Sequence, residues 1–290
     1  MRSTGPLVLK FGGELLEDRS QLATLASAIF RTVEQGVPLV IVHGGGKEID
    51  AALKGAGIEK RQVDGLRITD DATLDVVVAV LAGAVNTRFV AALAVAGVRA
   101  VGLTGADAGC GLSEPAPPHR AADGRSVDLG RVGIPTAGSD TALLTSLVGD
   151  GFVPVIASIG IGRDGRLLNV NADMLAGHLA ARLGARRLTI AGTTAGVLGR
   201  DGSTAPVLDA AAIARLVTDG TATAGMIAKL RACEQAIAGG VGDVLILDGR
   251  DESALEAAGA GAVPAHATRI AGLKTCATST GKTCATSTGM

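Results

Sequence analysis

The chain has 290 residues, a formal net charge of −1 and a pI of about 6.4. A charge so close to zero gives no electrostatic reason to expect a nucleic acid or an anionic membrane surface as a partner. The sequence contains no Trp, no Tyr and only four Phe, so it lacks an aromatic surface on which bases could stack. These features favour small molecules as ligands.

The mean hydropathy of +0.39 is high for a protein outside the membrane. The longest apolar run, residues 76–85, is nevertheless about half of the ~20 residues that a membrane-spanning helix needs. The N-terminus lacks the charged segment, apolar core and small-residue cleavage site of a signal peptide. The four cysteines are scattered and have no C-x-x-C spacing. We expect a cytoplasmic protein with reduced thiols and no contact with a membrane.

Short aliphatic runs alternate along the chain with segments of helical periodicity. Runs that are apolar almost throughout are typical of parallel strands covered by helices on both faces. In chain order, the predicted strands are residues 7–11, 39–43, 99–104, 153–158, 187–192 and 243–249. The predicted helices are residues 18–36, 69–97, 172–185 and 225–240. This alternation predicts an α/β fold, a three-layer αβα sandwich around a mostly parallel central sheet.

Two segments do not follow the alternating pattern. Residues 107–140 are rich in Gly, Pro and charged side chains, which predicts a hairpin or flap. The tail, residues 271–290, contains "KTCATSTG" twice in succession, at 274–281 and 282–289, and has no apolar periodicity. Such a segment cannot build a core, so we predict a folded domain over residues 1–270 and a disordered tail.

Two glycine turns, "KFGGE" at 10–14 and "HGGGKE" at 43–48, each follow a predicted strand and precede a helical segment. Neither is a standard nucleotide motif. Ile49 stands where G-x-G-x-x-G needs its third glycine, and Glu48 stands where a P-loop needs Ser or Thr. Backbone N–H groups and helix N-termini at such turns can bind an anion. Ordinary tight connections have the same sequence pattern, so both interpretations stay open at this point.

Three charged residues could serve an anion site at these turns. Lys10 lies near the end of the first strand, where it could place a charge on phosphate or simply extend its stem to the solvent. Asn169, Asn171 and Asp173 alternate, which predicts that they share one face, with Asp173 at a helix start as an alternative N-cap. Lys229 lies one turn into a helix, where an exposed lysine is the simplest interpretation.

Together, six segments resemble N-acetyl-L-glutamate kinases of the amino acid kinase family. They are "LKFGGELL", "VIVHGGGKEID", "VDGLRITDDATLDVV", "LNVNADMLAGHLA", "GTATAGMIAK" and "ILDGR", and they occur in the family's order between about residues 6 and 270. The resemblance implies the amino acid kinase fold. It further implies a lobe for the acylamino acid at about residues 1–180 and an ATP lobe at about 181–270.

The resemblance implies a reaction, in which ATP phosphorylates the side-chain carboxylate of N-acetyl-L-glutamate in the second step of arginine biosynthesis. A carboxylate with a pKa of ~4.3 is already ionised at neutral pH, so the reaction needs no general base and His43 is expected to be structural. What it needs is alignment and compensation of charge. By resemblance, the catalytic residues are two lysines, an aspartate that holds both ammonium groups, and two glycines with free N–H groups: Lys10, Lys229, Asp173, Gly12 and Gly13.

By the same resemblance, the acylamino acid binds to Arg67, whose guanidinium pairs with the α-carboxylate, and to Gly45, Gly46 and Asn169. ATP is expected near residues 191–198 and 221–226, at Gly192, Thr193, Thr194, Gly196, Leu198, Thr221 and Thr223. Mg²⁺ would bridge the ATP phosphates and be held by them and by water, so we expect no metal ligand in the protein. One departure is that "IAGTTAG" lacks the family's acid, so adenosine contacts there should be less polar.

The resemblance also implies an assembly. Only six residues precede the first predicted strand, too few for the helix that links arginine-inhibited members into hexamers, so we expect a homodimer that arginine does not inhibit. Two other functions stay open. One is a kinase for carrier-linked aminoadipate in lysine biosynthesis, against which the intact "GLRITD" argues. The other is a non-catalytic nucleotide or amino-acid sensor, which would be expected to have lost one of the site's charges.

Overall fold

The computed structural model describes residues 5–271. Its strands are β1 (Leu7–Phe11), β2 (Leu39–His43), β3 (Gln62–Val63), β4 (Leu66–Arg67), β5 (Ala100–Thr104), β6 (Ser113–Pro115), β7 (His119–Arg120), β8 (Ser126–Val127), β9 (Val132–Pro135), β10 (Val153–Ala157), β11 (Ile159–Ile161), β12 (Leu167–Val170), β13 (Arg187–Gly192), β14 (Val207–Leu208), β15 (Val244–Asp248) and β16 (Thr268–Ile270). Its α-helices are α1 (Arg19–Glu34), α2 (Gly46–Gly55), α3 (Asp71–Val78), α4 (Asn86–Val95), α5 (Ala142–Gly149), α6 (Ala172–Arg182), α7 (Ala210–Thr218), α8 (Ala224–Ala238) and α9 (Glu252–Gly259).

The central sheet has eight strands in the order β14-β16-β15-β13-β1-β2-β10-β5. Every neighbouring pair is parallel except β15 with β16. All six predicted strands lie in this sheet, with ends that differ from the prediction by at most one residue. Strand β1 lies between β13 and β2, so the carboxyl ends of these three strands meet at one edge.

Helices cover both faces of the central sheet. Leu7, Leu9 and Phe11 of β1 point into one apolar cluster, which α1, α2, α4 and α9 also enter. Val8, between them, points into the opposite cluster with α5, α6, α7 and α8. Because side chains alternate along a strand, Lys10 also faces this second layer. The predicted three-layer αβα sandwich around a mostly parallel sheet is confirmed.

One long helical rod runs from Asp71 to Val95 and corresponds to the helix predicted at 69–97. It consists of α3, a π-helical segment at Ala79–Val85, and α4. By length and composition it could cross a membrane, with a mean hydropathy of 2.0 over its most apolar window. One side of the rod packs into the core next to α1 and the sheet, with Val77, Val85, Phe89 and Leu93 fully buried. This side of the rod packs as a core helix does, although only 39% of the most apolar window is buried.

The predicted flap at 107–140 belongs to a second, four-stranded sheet with the order β11-β12-β9-β6, from which the β7–β8 hairpin projects. Strands β11 and β12 were not among the predicted strands, although the alternation of Asn169, Asn171 and Asp173 implied a strand that runs through these residues. The prediction that the three residues share one face is wrong. Strand β12 ends at Val170 and α6 begins at Ala172, so alternation stops before Asn171. The predicted disordered tail lies, from residue 272 onward, outside the described residues.

Candidate active site

The two glycine turns lie side by side at the carboxyl edge of the central sheet. The first leaves β1 through Gly12 into a short 3-10 helix at Gly13–Leu15, and the second leaves β2 into α2. A Cβ added at Gly13 would lie 2.5 Å from the Cα of Gly45, and one at Gly45 would lie 2.8 Å from Leu81 Cδ2. Only glycine permits this contact of backbone with backbone, so the turns form one continuous wall.

The beginning of α2 gives this wall a positive character. The helix starts at Gly46, and its first N–H groups have no acceptor within the helix. These groups and the helix dipole attract negative charge. A Cβ added at Gly46 would meet nothing within 4 Å, so its backbone faces open space. The geometry fits the anion-binding interpretation of "HGGGKE" better than a simple tight turn.

Lys10 and Asp173 form a buried ion pair beside the turns. Lys10 Nζ lies 2.8 Å from Asp173 Oδ1, and their side chains are only 10% and 11% exposed. The contact lacks hydrogen-bond geometry, so Asp173 Oδ1 has no hydrogen-bond donor within the described part of the chain. The alternative role of Asp173 as an N-cap is wrong. Asn171 caps α6, since its Oδ1 accepts from the N–H groups of Asp173 at 2.9 Å and Met174 at 3.1 Å.

Lys229 of α8 lies near the same centre, beside the end of β13. A Cβ added at Gly192, the last residue of β13, would lie 3.3 Å from Lys229 Nζ. Burial lowers the pKa of Lys229, and the nearby charge of Lys10 lowers it further, whereas Asp173 and Glu14 raise it. Lys229 is therefore not the exposed helix lysine of the simplest interpretation. Asp173 forms its ion pair with Lys10, and its negative charge also raises the pKa of Lys229.

Glu14 is a residue of this centre that the sequence analysis missed. A Cβ added at Gly12 would lie 2.6 Å from the Glu14 carboxyl carbon, and one at Gly192 would lie 3.9 Å from Glu14 Oε1. Its carboxylate thus shares the centre with Lys229. The signal was present in "KFGGE", but a glutamate in a turn expected to attract anions has the wrong charge for that motif, and only the structure shows the neighbouring ammonium group.

Arg67 and Asn169 lie together on the side of α2. Arg67 Nη2 donates to Asp50 Oδ1 of α2 at 2.5 Å, while its buried Nη1 has no partner among residues 5–271. Asn169 Nδ2 donates to Thr69 Oγ1 at 3.1 Å, and Thr69 is two residues from Arg67. Asp50 and Thr69, which orient these side chains, were not predicted as site residues. Both lie in segments that carry the family resemblance, but those segments do not show which residues contact each other.

Most of the predicted nucleotide residues line one cavity of about 250 Å³ between β13, α7 and α8, together with apolar side chains. Those residues are Thr194, Gly196, Leu198, Thr221 and Thr223. Two others lie elsewhere: Gly192 is beside Lys229, and the Thr193 carbonyl accepts a hydrogen bond from Arg250 at 2.8 Å. Arg200 lies close to the cavity and donates to Thr221 Oγ1 at 3.1 Å. The lining contains no carboxylate, as expected from the sequence.

Known proteins resemble this chain in sequence and in structure. The acetylglutamate kinase of Novosphingobium aromaticivorans is 42% identical over 252 residues, which cover 84% of this chain and 83% of that protein. The acetylglutamate kinase of Sphingopyxis alaskensis is 43% identical over 248 residues, covering 84% and 82%. The N-acetylglutamate synthase of Neisseria gonorrhoeae, complexed with coenzyme A and N-acetyl-glutamate, matches with a TM-score of 0.78 at 27% identity.

This structural match covers 93% of the present chain but 60% of the synthase chain, so it extends over only part of the synthase. Residues 5–248 match the profile of the amino acid kinase family, which is well over half of the chain. The motif order, the fold and these matches agree: the chain belongs to the amino acid kinase family.

Proposed function

We propose that the protein is an acetylglutamate kinase, which transfers the γ-phosphoryl group of ATP to the side-chain carboxylate of N-acetyl-L-glutamate. The product is N-acetyl-L-glutamyl 5-phosphate, in the second step of arginine biosynthesis. The observation that carries the proposal is the centre formed by Lys10, Asp173 and Lys229 beside two glycine turns. Relatives with 42–43% identity over most of the chain are acetylglutamate kinases, which supports the same reaction.

The centre is suited to in-line phosphoryl transfer. Negative charge spreads over the oxygens of the group in transfer, and catalysis consists mainly of positioning and electrostatic stabilisation. Lys10 and Lys229 would contact this group from two sides, while the N–H groups of Gly12, Gly13, Gly45 and Gly46 would donate to it. Asp173 would keep both ammonium groups in place. Because the attacking carboxylate is already ionised, no side chain has to remove a proton.

Arg67 and Asn169 would bind the acylamino acid. The buried Nη1 of Arg67 has no acceptor among the described residues, although a buried guanidinium nitrogen is normally hydrogen-bonded. A substrate α-carboxylate would supply that acceptor, and Asp50 on Nη2 holds the guanidinium plane in position for it. The similarity to acetylglutamate kinases favours N-acetylglutamate over the carrier-linked aminoadipate alternative.

ATP would occupy the cavity next to α8, with residues 181–270 as its lobe and residues 1–180 as the lobe for the acylamino acid. The apolar lining suits a flat base, and the path from this cavity to Lys229 follows α8 from Thr223. Within residues 5–271, no group of three or more His, Cys, Asp or Glu side chains could hold a metal ion. Mg²⁺ would be held by the ATP phosphates and water, where it would neutralise phosphate charge.

The protein would act as a cytoplasmic homodimer. In the described part of the chain, β5 is the last strand on its side of the central sheet, and α4 lies beside it. The most apolar window of the rod that contains α4 has a mean hydropathy of 2.0, yet only 39% of this window is buried, and Val95 is 92% exposed. A second copy packed against this face would remove the apolar surface from water.

Hydroxylamine trapping of acyl phosphate tests the reaction directly. Wild-type protein with ATP and Mg²⁺ should form hydroxamate with N-acetyl-L-glutamate, but not with L-glutamate or L-aspartate offered in parallel. The matched variants are Lys10→Met, which removes one charge of the centre, and Lys54→Met, which removes an exposed lysine at the end of α2. Lys10→Met should lose turnover, whereas Lys54→Met should keep it. Nucleotide binding without any hydroxamate would support the sensor alternative instead.

A further inference from the structure

We infer that His43, Asn86 and Arg88 form a positioning cluster that fixes the spacing between the two glycine turns. We call these three residues the brace. None of them lies in the wall of N–H groups, and none carries a role in the proposed reaction. Each is bonded to a segment that directly precedes or follows a glycine turn. The inference rests on the proposed function, because the turns matter as the cradle for the transferred phosphoryl group.

His43 connects the second turn to α4. It is the last residue of β2 and is fully buried, with its ring packed edge-on against Phe89 of α4. Its Nδ1 lies 3.1 Å from the carbonyl oxygen of Gly44, and its Nε2 lies 3.0 Å from Asn86 Nδ2. Because the Asn86 amide donates, Nε2 must accept and Nδ1 must carry the proton that is donated to Gly44. The imidazole therefore holds the first peptide of the turn.

Asn86 ties His43 to the neighbouring strands. Besides His43, its Nδ2 donates to the carbonyl of Val155 in β10 at 2.9 Å and more weakly to that of Leu103 in β5 at 3.4 Å. Its Oδ1 occupies the space above Gly102, where an added Cβ would collide with it. A single buried amide thus links three strands, β2, β10 and β5, which leaves the His43 ring little freedom to turn.

Arg88 connects the two turns to each other. Its Nη2 donates to Glu48 Oε1 at 2.5 Å in the first turn of α2, and to the carbonyl of Leu16 at 3.2 Å just after the 3-10 helix. Glu48 follows the second glycine turn and Leu16 follows the first. The guanidinium is therefore a direct bridge between the elements that leave the two turns.

The π-helical segment explains why one helix can make all these contacts. It covers Ala79–Val85 and ends where Asn86 begins α4. Leu81 and Val85 of this segment are also the side chains that a Cβ at Gly45 would meet, at 2.8 Å and 3.3 Å. A π segment changes the angular position of the residues that follow it, and such segments occur often at functional sites. In this protein the π segment lets one helical rod pack Leu81 and Val85 against Gly45 and also place the side chains of Asn86 and Arg88 next to the turns.

For the proposed reaction, the distance between the two glycine turns has to be held constant. The two turns touch at Gly13 and Gly45, and a misplacement of about 1 Å in a phosphoryl-transfer site can lower the rate by roughly 10²-fold. Loss of the brace should loosen the cradle without removing any group that binds substrate. We therefore expect kcat to fall by roughly 10–100-fold, while KM for both substrates stays within about threefold.

The test compares two brace variants with a packing control on the same helix. Arg88→Met keeps the length and apolar stem of the side chain but loses both hydrogen bonds, and Asn86→Leu keeps the volume but loses the links to His43 and the strands. Leu93→Ala is the control: Leu93 is fully buried in α4, so its truncation should lower the stability of the fold without touching either turn. Arg88→Lys should restore part of the rate, since an ammonium can reach one of the two acceptors.

The readouts are kcat and KM, and amide hydrogen exchange of peptides covering residues 12–16 and 43–48. Faster exchange in both peptides and lower kcat in the brace variants, with neither change in Leu93→Ala, would support the brace. Unchanged kcat and unchanged exchange in Arg88→Met would overturn it, as would a similar fall of kcat in Leu93→Ala. If the wild-type protein has no kinase activity, the proposed function fails, and the exchange data still decide whether the brace holds the turns.

Discussion

The neutral imidazole of His43 should make folding stability depend on pH in a defined window. Burial, followed by the positive charges of Arg88 on α4 and Lys10 on β1, lowers the pKa of His43 from 6.5 to about 4, although its hydrogen bond to Gly44 acts in the opposite direction. A difference of this size between the unfolded and folded states corresponds to roughly 3 kcal/mol, at 1.36 kcal/mol per pH unit.

The direction follows from proton binding. Between pH 6.5 and about 4 the unfolded chain binds a proton at His43 and the folded protein does not. The contribution of His43 to stability is therefore fully present above pH 6.5 and is lost as the pH falls towards 4. By pH 4.5 the loss should reach roughly 2.5 kcal/mol.

Urea denaturation in steps from pH 7.5 to 4.5 measures this loss, with His43→Gln as the comparison. Glutamine does not titrate, and its amide retains hydrogen-bonding groups near the position of the ring. The variant keeps every other titrating group, including His178, whose pKa is also lowered by burial. The wild type should lose roughly 2.5 kcal/mol more than His43→Gln by pH 4.5. Parallel stability curves for the two proteins would refute a neutral, buried His43.

Three further predictions concern the charged centre and the substrate. Asp173→Asn removes one partner of a buried ion pair and should cost about 3–5 kcal/mol of stability as well as turnover, measured by denaturation and by hydroxamate formation. Lys229→Met should abolish turnover yet stabilise the fold at pH 7, because it removes an ammonium that burial disfavours. Its stability should also lack the rise that the wild type shows as the pH climbs towards 10.5, the ordinary pKa of lysine, which denaturation at pH 7–10 would reveal. Arg67→Met should raise KM for N-acetylglutamate by roughly 100-fold and leave the Kd for ATP unchanged, which steady-state kinetics and calorimetry would check.

The sequence was sufficient to predict the central sheet. Its strands are nearly continuous apolar runs, and β1, β2 and β13 were predicted with the bounds that the structure has. Such strands are easy to recognise in a sequence, because both of their faces are buried and neither face needs polar side chains. β11 and β12 were not predicted, because they have only three and four residues and β12 carries the polar Asn169. The wrong prediction about Asn169, Asn171 and Asp173 came from extending a strand past Val170, where β12 ends.

The positions of the site residues could be inferred from motifs, but their partners could not. Lys10 and Asp173 are 163 positions apart in the sequence, and only the packing of α6 on β1 brings them to 2.8 Å. Likewise, Asp50 and Arg67 meet because α2 lies beside the β3–β4 hairpin. Single-residue patterns carry no information about such contacts, which depend on how elements pack. The exposed-lysine interpretation of Lys229 was wrong for the same reason.

The centre needs two lysines because it also contains two carboxylates. Lys10 and Lys229 contribute two positive charges, and Asp173 and Glu14 contribute two negative ones, so the side chains alone give no net attraction for an anion. The attraction must then come from groups that are not neutralised in pairs, which are the N–H groups of the glycine turns and the start of α2. Mg²⁺ on the nucleotide would add the remaining positive charge. Under this arrangement the carboxylates set the positions of the lysines, the backbone attracts the phosphoryl group, and the brace keeps that backbone in place.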